Sequence, residues 1–237
     1  MSTKYSKLQD EQLERIKTLS EADGKKPSLL LHACCAPCSS YVLELLTSYF
    51  DISIYYYNPN IYPEAEYTRR LTELENFLKT TERSFSVQAD EQLADVKKPL
   101  FASQPKLIHT EYDPEEYYTA TNVRNETELQ TESERGERCR RCYYFRMKKA
   151  WEYAASHSFD YFTTTLSISP FKDAEKINII GQQLKDEIPS SVEYLYADFK
   201  KKNGFLRSLE LSKEYGLYRQ EYCGCIYSMQ NGNISRK

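Results

Sequence analysis

Residues 28–46, SLLLHACCAPCSSYVLELL, constrain the fold more than any other part of the chain. SLLLHA is a short unbroken apolar run, the mark of a strand buried on both faces of a parallel sheet. Val42, Leu43, Leu45, Leu46 and Tyr49 then recur at helical spacing. A parallel strand feeding a helix needs further strand–helix units with right-handed crossovers to complete its sheet. The chain supplies them. DISIYYYNPN (51–60) reads as a second strand and turn, YPEAEYTRRLTELENFLKTT (62–81) as a helix, and RSFSVQAD (83–90) as a third strand.

The remaining pattern extends the same α/β reading. A helix is expected over about residues 8–20, within an N-terminal helical extension of residues 1–25. Residues 26–237 then form a single domain, interrupted by a polar, acid-rich insertion over 91–137. CRRCYYFRMKKAWEYAASHSF begins a helix close to its paired cysteines, and DYFTTTLSISP (160–170) is a strand with its following loop. DAEKINIIGQQLKDEI (173–188) is helical with Gly181 inside it, SVEYLYADF (191–199) is a further strand, and a C-terminal extension brings EYCGC. No apolar run approaches the roughly 20 residues of a membrane span. The polar N-terminus does not resemble a secretion signal, so no membrane partner and a cytoplasmic location are expected.

Seven cysteines fall into three groups and nowhere else: Cys34, Cys35 and Cys38; Cys139 and Cys142; Cys223 and Cys225. In a reducing compartment they are not expected to form disulfides, and clustering points to metal or redox chemistry instead. Ligand sites of open parallel sheets lie beyond the carboxyl ends of the strands. CCAPC, NPNIYP, TLSISP and DFKKKNG all follow strands, so one shared site is expected. A four-coordinate zinc or a cubane iron–sulfur cluster each uses four thiolates and leaves three. A second metal accounts for the surplus. Adjacent Cys34 and Cys35, whose side chains are expected to diverge, would face two neighbouring metals. Arg138, Arg140 and Arg141 either stabilise an anionic cluster or face solvent. His32 is expected in the core or behind the ligands. There is no G-x-G-x-x-G or Walker motif, which disfavours ATP or NAD.

At this point LLLHACCAPCSSYV, YYYNPNIYPEAEYTRR, ERCRRCYYFRM, TTTLSISPFKD and DFKKKNGFLRSLELSKEYGLYRQEYCGC together resemble the epoxyqueuosine reductases of the QueH type, over about residues 26–228. The resemblance implies a Rossmann-like fold of the adenine-nucleotide α-hydrolase (HUP) superfamily. It implies a [4Fe–4S] cluster with a second, mononuclear iron beside it, held by all seven cysteines without a partition between the two. It also implies cobalamin-independent reduction of the epoxide on the modified wobble base of tRNA, with an external electron donor.

Matching the family blocks, Asn58, Asn60, Tyr67, Ser167, Ser169 and Lys172 are candidate substrate contacts. Lys200, Lys201, Arg207 and Arg219 are candidates for tRNA phosphates, and tyrosines offer stacking surfaces. Asp198, Tyr218 and Tyr222 are candidate proton donors. Two rivals stand beside this reading: an iron–sulfur tRNA sulfurtransferase-like enzyme, which would carry an ATP-cradling loop where CCAPC stands, and a zinc-stabilised RNA-binding module.

Overall fold

The computed structural model describes the backbone of residues 4–87 and 99–235 and the side-chain surroundings of residues 4–82 and 99–230. Five strands form one all-parallel sheet: β1 (Ser28–His32), β2 (Asp51–Tyr56), β3 (Lys106–His109), β4 (Tyr161–Thr164) and β5 (Glu193–Tyr194). Their spatial order is β3-β2-β1-β4-β5, the Rossmann-like arrangement. The helices are α1 (Lys4–Asp23), α2 (Ala36–Leu46), α3 (Glu64–Val87), α4 (Pro114–Thr121), α5 (Glu128–Thr131), α6 (Glu137–Ser156), α7 (Ala174–Glu187), α8 (Gly204–Glu214) and α9 (Ile226–Ser235).

Alternation along β1 divides the core. Leu29 and Leu31 pack with Ile52, Ile54 and Tyr56 on the face covered by α1, α2 and α3. Leu30 points the other way, to Trp151 of α6, Ile180 of α7 and Phe162. That period of two, with both faces covered, is why SLLLH reads as an unbroken apolar run. Gly181 is more than tolerated in α7. A Cβ there would meet the Tyr194 ring at 2.2 Å, so its absence sets how closely α7 approaches β5. Helix α1 is tied to the same edge, where Gln12 donates to Tyr194 O (2.9 Å) and accepts from Tyr196 N (2.9 Å).

The third strand differs from expectation. Residues 83–87 continue α3, residues 88–90 lie outside the described residues, and Lys106–His109 instead pairs with Ser53–Tyr56. β3 therefore lies within the 91–137 segment, which also contributes α4 and α5. This is an edge strand, exposed at both ends, and it needs little apolar sequence.

The chain crosses from β3 back to β4 on the far side of β1, so the strand order reverses between β1 and β4. The turn after β1 carries CCAPC, and the segment after β4 carries the 3₁₀ turn Thr165–Ile168 and then Lys172. Both open at the carboxyl edge of that switch point, where such sheets bind ligands.

Candidate metal centre

Each cysteine group stands at a helix N-terminus. Cys35 caps α2 with extended backbone (φ −175°, ψ 161°), and Cys38 lies in that helix's first turn. Cys139 is in the first turn of α6, and Cys142 follows three residues later. Cys225 precedes α9, and its Sγ accepts from Ser228 N at 3.4 Å, as a capping serine oxygen would. The partial positive charge of a helix N-terminus favours thiolate over thiol.

The thiols form two sets. The Sγ atoms of Cys34, Cys35 and Cys38 all lie within 4.8 Å of one another, with Cys34 and Cys35 3.9 Å apart. Metal–sulfur bonds of about 2.3 Å in a tetrahedron place sulfurs about 3.8 Å apart, so this trio is close to the spacing for one ion. The adjacent pair thus does not diverge toward two metals as expected. β1 ends at His32 and α2 begins at Ala36, so both cysteines occupy the turn, where strand alternation no longer applies. The second set is Cys139, Cys142, Cys223 and Cys225, which feel one another's charge. Among the described residues no other three potential ligands come close enough to share an ion.

Burial raises Cys139 to about 12 and Cys142 and Cys225 to about 11. In the trio, the Cys35 and Cys38 thiols donate to Cys34, and Lys172 and Arg146 face it, which holds Cys34 well below the usual thiol range. Burial and the neighbouring Cys34 push Cys35 up to about 12. Hydrogen bonding to Cys34 and Cys35 is the main reason Cys38 also rises.

The cations beside the thiols are largely not those expected. Arg140 and Arg141 are bound to Glu137, and Arg141 also to Glu126. Arg138 is buried and donates to Leu129 O and Gln130 O, tying α5 to α6, while its charge favours the Cys139 and Cys225 thiolates. Two other buried arginines reach the site. Arg146 lies 4.0 Å from Cys142 Sγ and donates to Asn58 Oδ1; Asn58 Nδ2 then donates to Ala33 O at 2.9 Å. This relay joins one thiol set to the backbone beside the other. Arg70 bonds Glu66 (2.7 Å), Cys223 O (3.1 Å) and Tyr222 O (3.4 Å), clamping the C-terminal pair to α3. Gly224 permits that approach with φ +143°; a Cβ would lie 3.1 Å from Asn60 Nδ2 and Ile61 Cγ1. Sequence reasoning missed Arg70, Arg146 and also Gln220, whose Nε2 donates to Cys35 Sγ at 3.1 Å.

A cavity of about 70 Å³ touches both sets, through Cys38 and Cys223, and is also lined by Ser169, Lys172, Arg219, Gln220 and Tyr222. Several predicted contacts lie in the framework behind it. Asn58 and Asn60 are buried, and the Tyr67 hydroxyl donates to Thr110 O. Ser167 Oγ accepts from Phe199 N. Arg207 is committed to Glu44 and Glu210, and Lys200 to Asp198, away from the cavity. Lys201 and Asp198 line a separate cleft against α1. Tyr218 donates to Glu66. Of the proton-donor candidates only Tyr222 lines the cavity; burial raises its phenol to about 12, and its hydroxyl donates to Tyr62 O. His32 is buried between Thr164 Oγ1 (2.8 Å) and Tyr57 O (3.2 Å), and burial lowers it to about 3. It supports the turn from the core, as expected.

Residues 29–231 match the family model described as epoxyqueuosine reductase QueH. A protein of that name from Staphylococcus epidermidis is 38% identical over 228 residues, covering 96% of this chain and 87% of the relative. The Streptococcus pyogenes serotype M1 protein of the same name is 36% identical, covering 95% and 79%. That from Thermotoga maritima is 31% identical, covering 89% and 97%.

Proposed function

The chain belongs to the epoxyqueuosine reductase QueH family, and from that premise we propose that it reduces epoxyqueuosine to queuosine at the wobble position of tRNA. The observation that carries the reading to a mechanism is a cavity walled by a thiol of each set and by a buried lysine. The reaction breaks both C–O bonds of the epoxide, forms the alkene, and takes up two electrons and two protons as oxygen leaves as water.

The donor sets fit a two-part metal centre. Cys139, Cys142, Cys223 and Cys225 are four thiols too dispersed for one ion, as a [4Fe–4S] cluster requires when each thiolate binds a different iron. Cys34, Cys35 and Cys38, with their Sγ atoms all within 4.8 Å of one another, would hold one additional iron. When bound, such a centre would supply electrons one at a time from an external donor and a Lewis acid for the oxygen, without cobalamin.

The protein's own residues prepare this site. Arg146, Arg70 and Lys172 offset thiolate charge that burial otherwise disfavours. Gln220 donates to Cys35. Pro37, Ile168 and Phe205 give the cavity apolar walls that would limit water beside a bound epoxide. The turn after β1 is filled by thiols and Pro37 rather than a phosphate cradle, so the geometry does not favour the sulfurtransferase reading. No helix among the described residues is long and apolar enough to cross a membrane.

The test is anaerobic, iron-reconstituted protein with epoxyqueuosine-containing tRNA and dithionite, followed by nucleoside mass analysis. Loss of one oxygen atom from the modified nucleoside is expected. Unchanged epoxide with full iron loading overturns the proposal, as does stoichiometric zinc in place of iron in anaerobically purified protein.

A further inference from the structure

Lys172 differs from the other cations around the thiols. It is only 7% exposed, and among the described residues no other lysine is buried. Its backbone N–H donates to Ser169 O at 3.2 Å, which fixes it in the loop after β4 at the switch point. It lines the cavity beside Cys38 and Cys223, one thiol from each set. Its ammonium lies among Cys223, Cys34, Cys38 and Cys35, thiols of both sets.

Most other donors nearby are engaged at least in part. Arg146 donates to Asn58 and approaches Cys142; Arg70 is spent on Glu66 and two backbone carbonyls. At the cavity wall Arg219 donates to Ser212 Oγ (2.9 Å) and Ser208 O (3.4 Å), and Tyr222 to Tyr62 O. The Lys172 ammonium has no hydrogen-bond or carboxylate partner among the described residues; the charges around it are the thiols. An ammonium carries three N–H donors. A residue needed only to balance thiolate charge could be tied to the protein as the arginines are. This one keeps its donors for whatever enters the cavity.

We propose that Lys172 is a catalytic residue whose ammonium donates a hydrogen bond to the epoxide oxygen and stabilises the negative charge that gathers there as the C–O bond breaks. The inference rests on the epoxide-reductase reading. Two electrons come from two equivalents of a one-electron donor such as dithionite, by way of the metal that the thiols would hold, and two protons come from solvent. Both C–O bonds break, the alkene forms, the oxygen leaves as water, and the lysine ends protonated as it began.

The experiment compares wild type with Lys172→Met, Lys172→Arg and Lys172→Ala, each iron-reconstituted anaerobically, in turnover of epoxyqueuosine-containing tRNA with dithionite. Removing one preorganised donor to a developing oxyanion lowers kcat about 10²–10³-fold. The proposal therefore expects a kcat loss of that size in Lys172→Met, with KM for tRNA nearly unchanged and iron per chain at the wild-type value. Lys172→Arg regains part of the rate, and added methylammonium accelerates Lys172→Ala but not wild type. Wild-type kcat in Lys172→Met overturns the proposal. So does a rate loss that follows iron loss in all three variants with no response to methylammonium. Those failures leave the reductase reading standing, because wild type still turns over; an inactive, fully loaded wild type defeats that reading itself.

Discussion

Replacing Arg70 by methionine separates two roles that the structure gives to one guanidinium. Arg70 is buried in α3, holds Glu66, and reaches across to Cys223 O and Tyr222 O. Hydrogen bonds to charged groups contribute about 1.5–3 kcal/mol each, but simple addition overshoots because the group is desolvated on folding. Breaking a buried ion pair from one side costs about 3–5 kcal/mol, and that is the expected loss for metal-free Arg70→Met in anaerobic urea unfolding. Much of it comes from Glu66 left without its cation. Adding Glu66→Gln returns about 1–3 kcal/mol, the penalty of an unsatisfied buried group, since the amide oxygen still accepts from the Tyr218 hydroxyl. The clamp on residues 222 and 223 stays broken in both variants. Iron per chain after reconstitution is therefore low in Arg70→Met and remains low in the double variant. Iron recovering together with stability in the double variant would refute the clamp.

The other expectations concern the partition of the metals and the packing of the frame. Cys139→Ser loses most of its iron and the visible cluster absorption, whereas Cys38→Ser keeps that absorption and binds about one iron fewer per chain by metal analysis; equal losses in the two would contradict the division. Gln220→Leu removes the donor to Cys35, so chelator extracts the non-cluster iron faster than from wild type; Gln220→Glu, which sets a carboxylate against the thiolate, loses it faster still. Gly181→Ala gains about 1 kcal/mol of helix propensity, but its Cβ collides with Tyr194, packed against Trp151 and Phe162. Overpacking of about 1–3 kcal/mol prevails, and thermal unfolding of the metal-free protein shows a lower midpoint.

The readability of the chain followed how local each signal is. β1 and α2 are written in adjacent residues and follow from periodicity alone. The placement of CCAPC at the carboxyl edge follows from the rule for open sheets. The 83–90 strand failed because alternation in RSFSV is too short to override the helix running into it, while the true edge strand, KLIH, carries only two apolar residues. The buried cations were less accessible still. Arg70 sits beside Arg69, and Arg146 beside Met147 and two lysines, in ordinary amphipathic helices. What selects one of them for the interior is a partner 153 or 88 positions away. The neutralisation of Arg140 and Arg141 was visible in principle, because Glu137 lies three and four residues before them on the same helix face. Nothing local marks Gln220 as a neighbour of Cys35.

The two thiol sets also differ in when a growing chain can assemble them. The trio is complete once residue 38 has been made, inside the first strand–helix unit of the sheet along the chain. The quartet stays open until residue 225 has left the ribosome, because half of it arrives with the segment that Arg70 clamps. Translation therefore completes the three-thiol group early and the four-thiol group late. If the proposed partition holds, the single iron and the cluster become bindable at two different stages of synthesis.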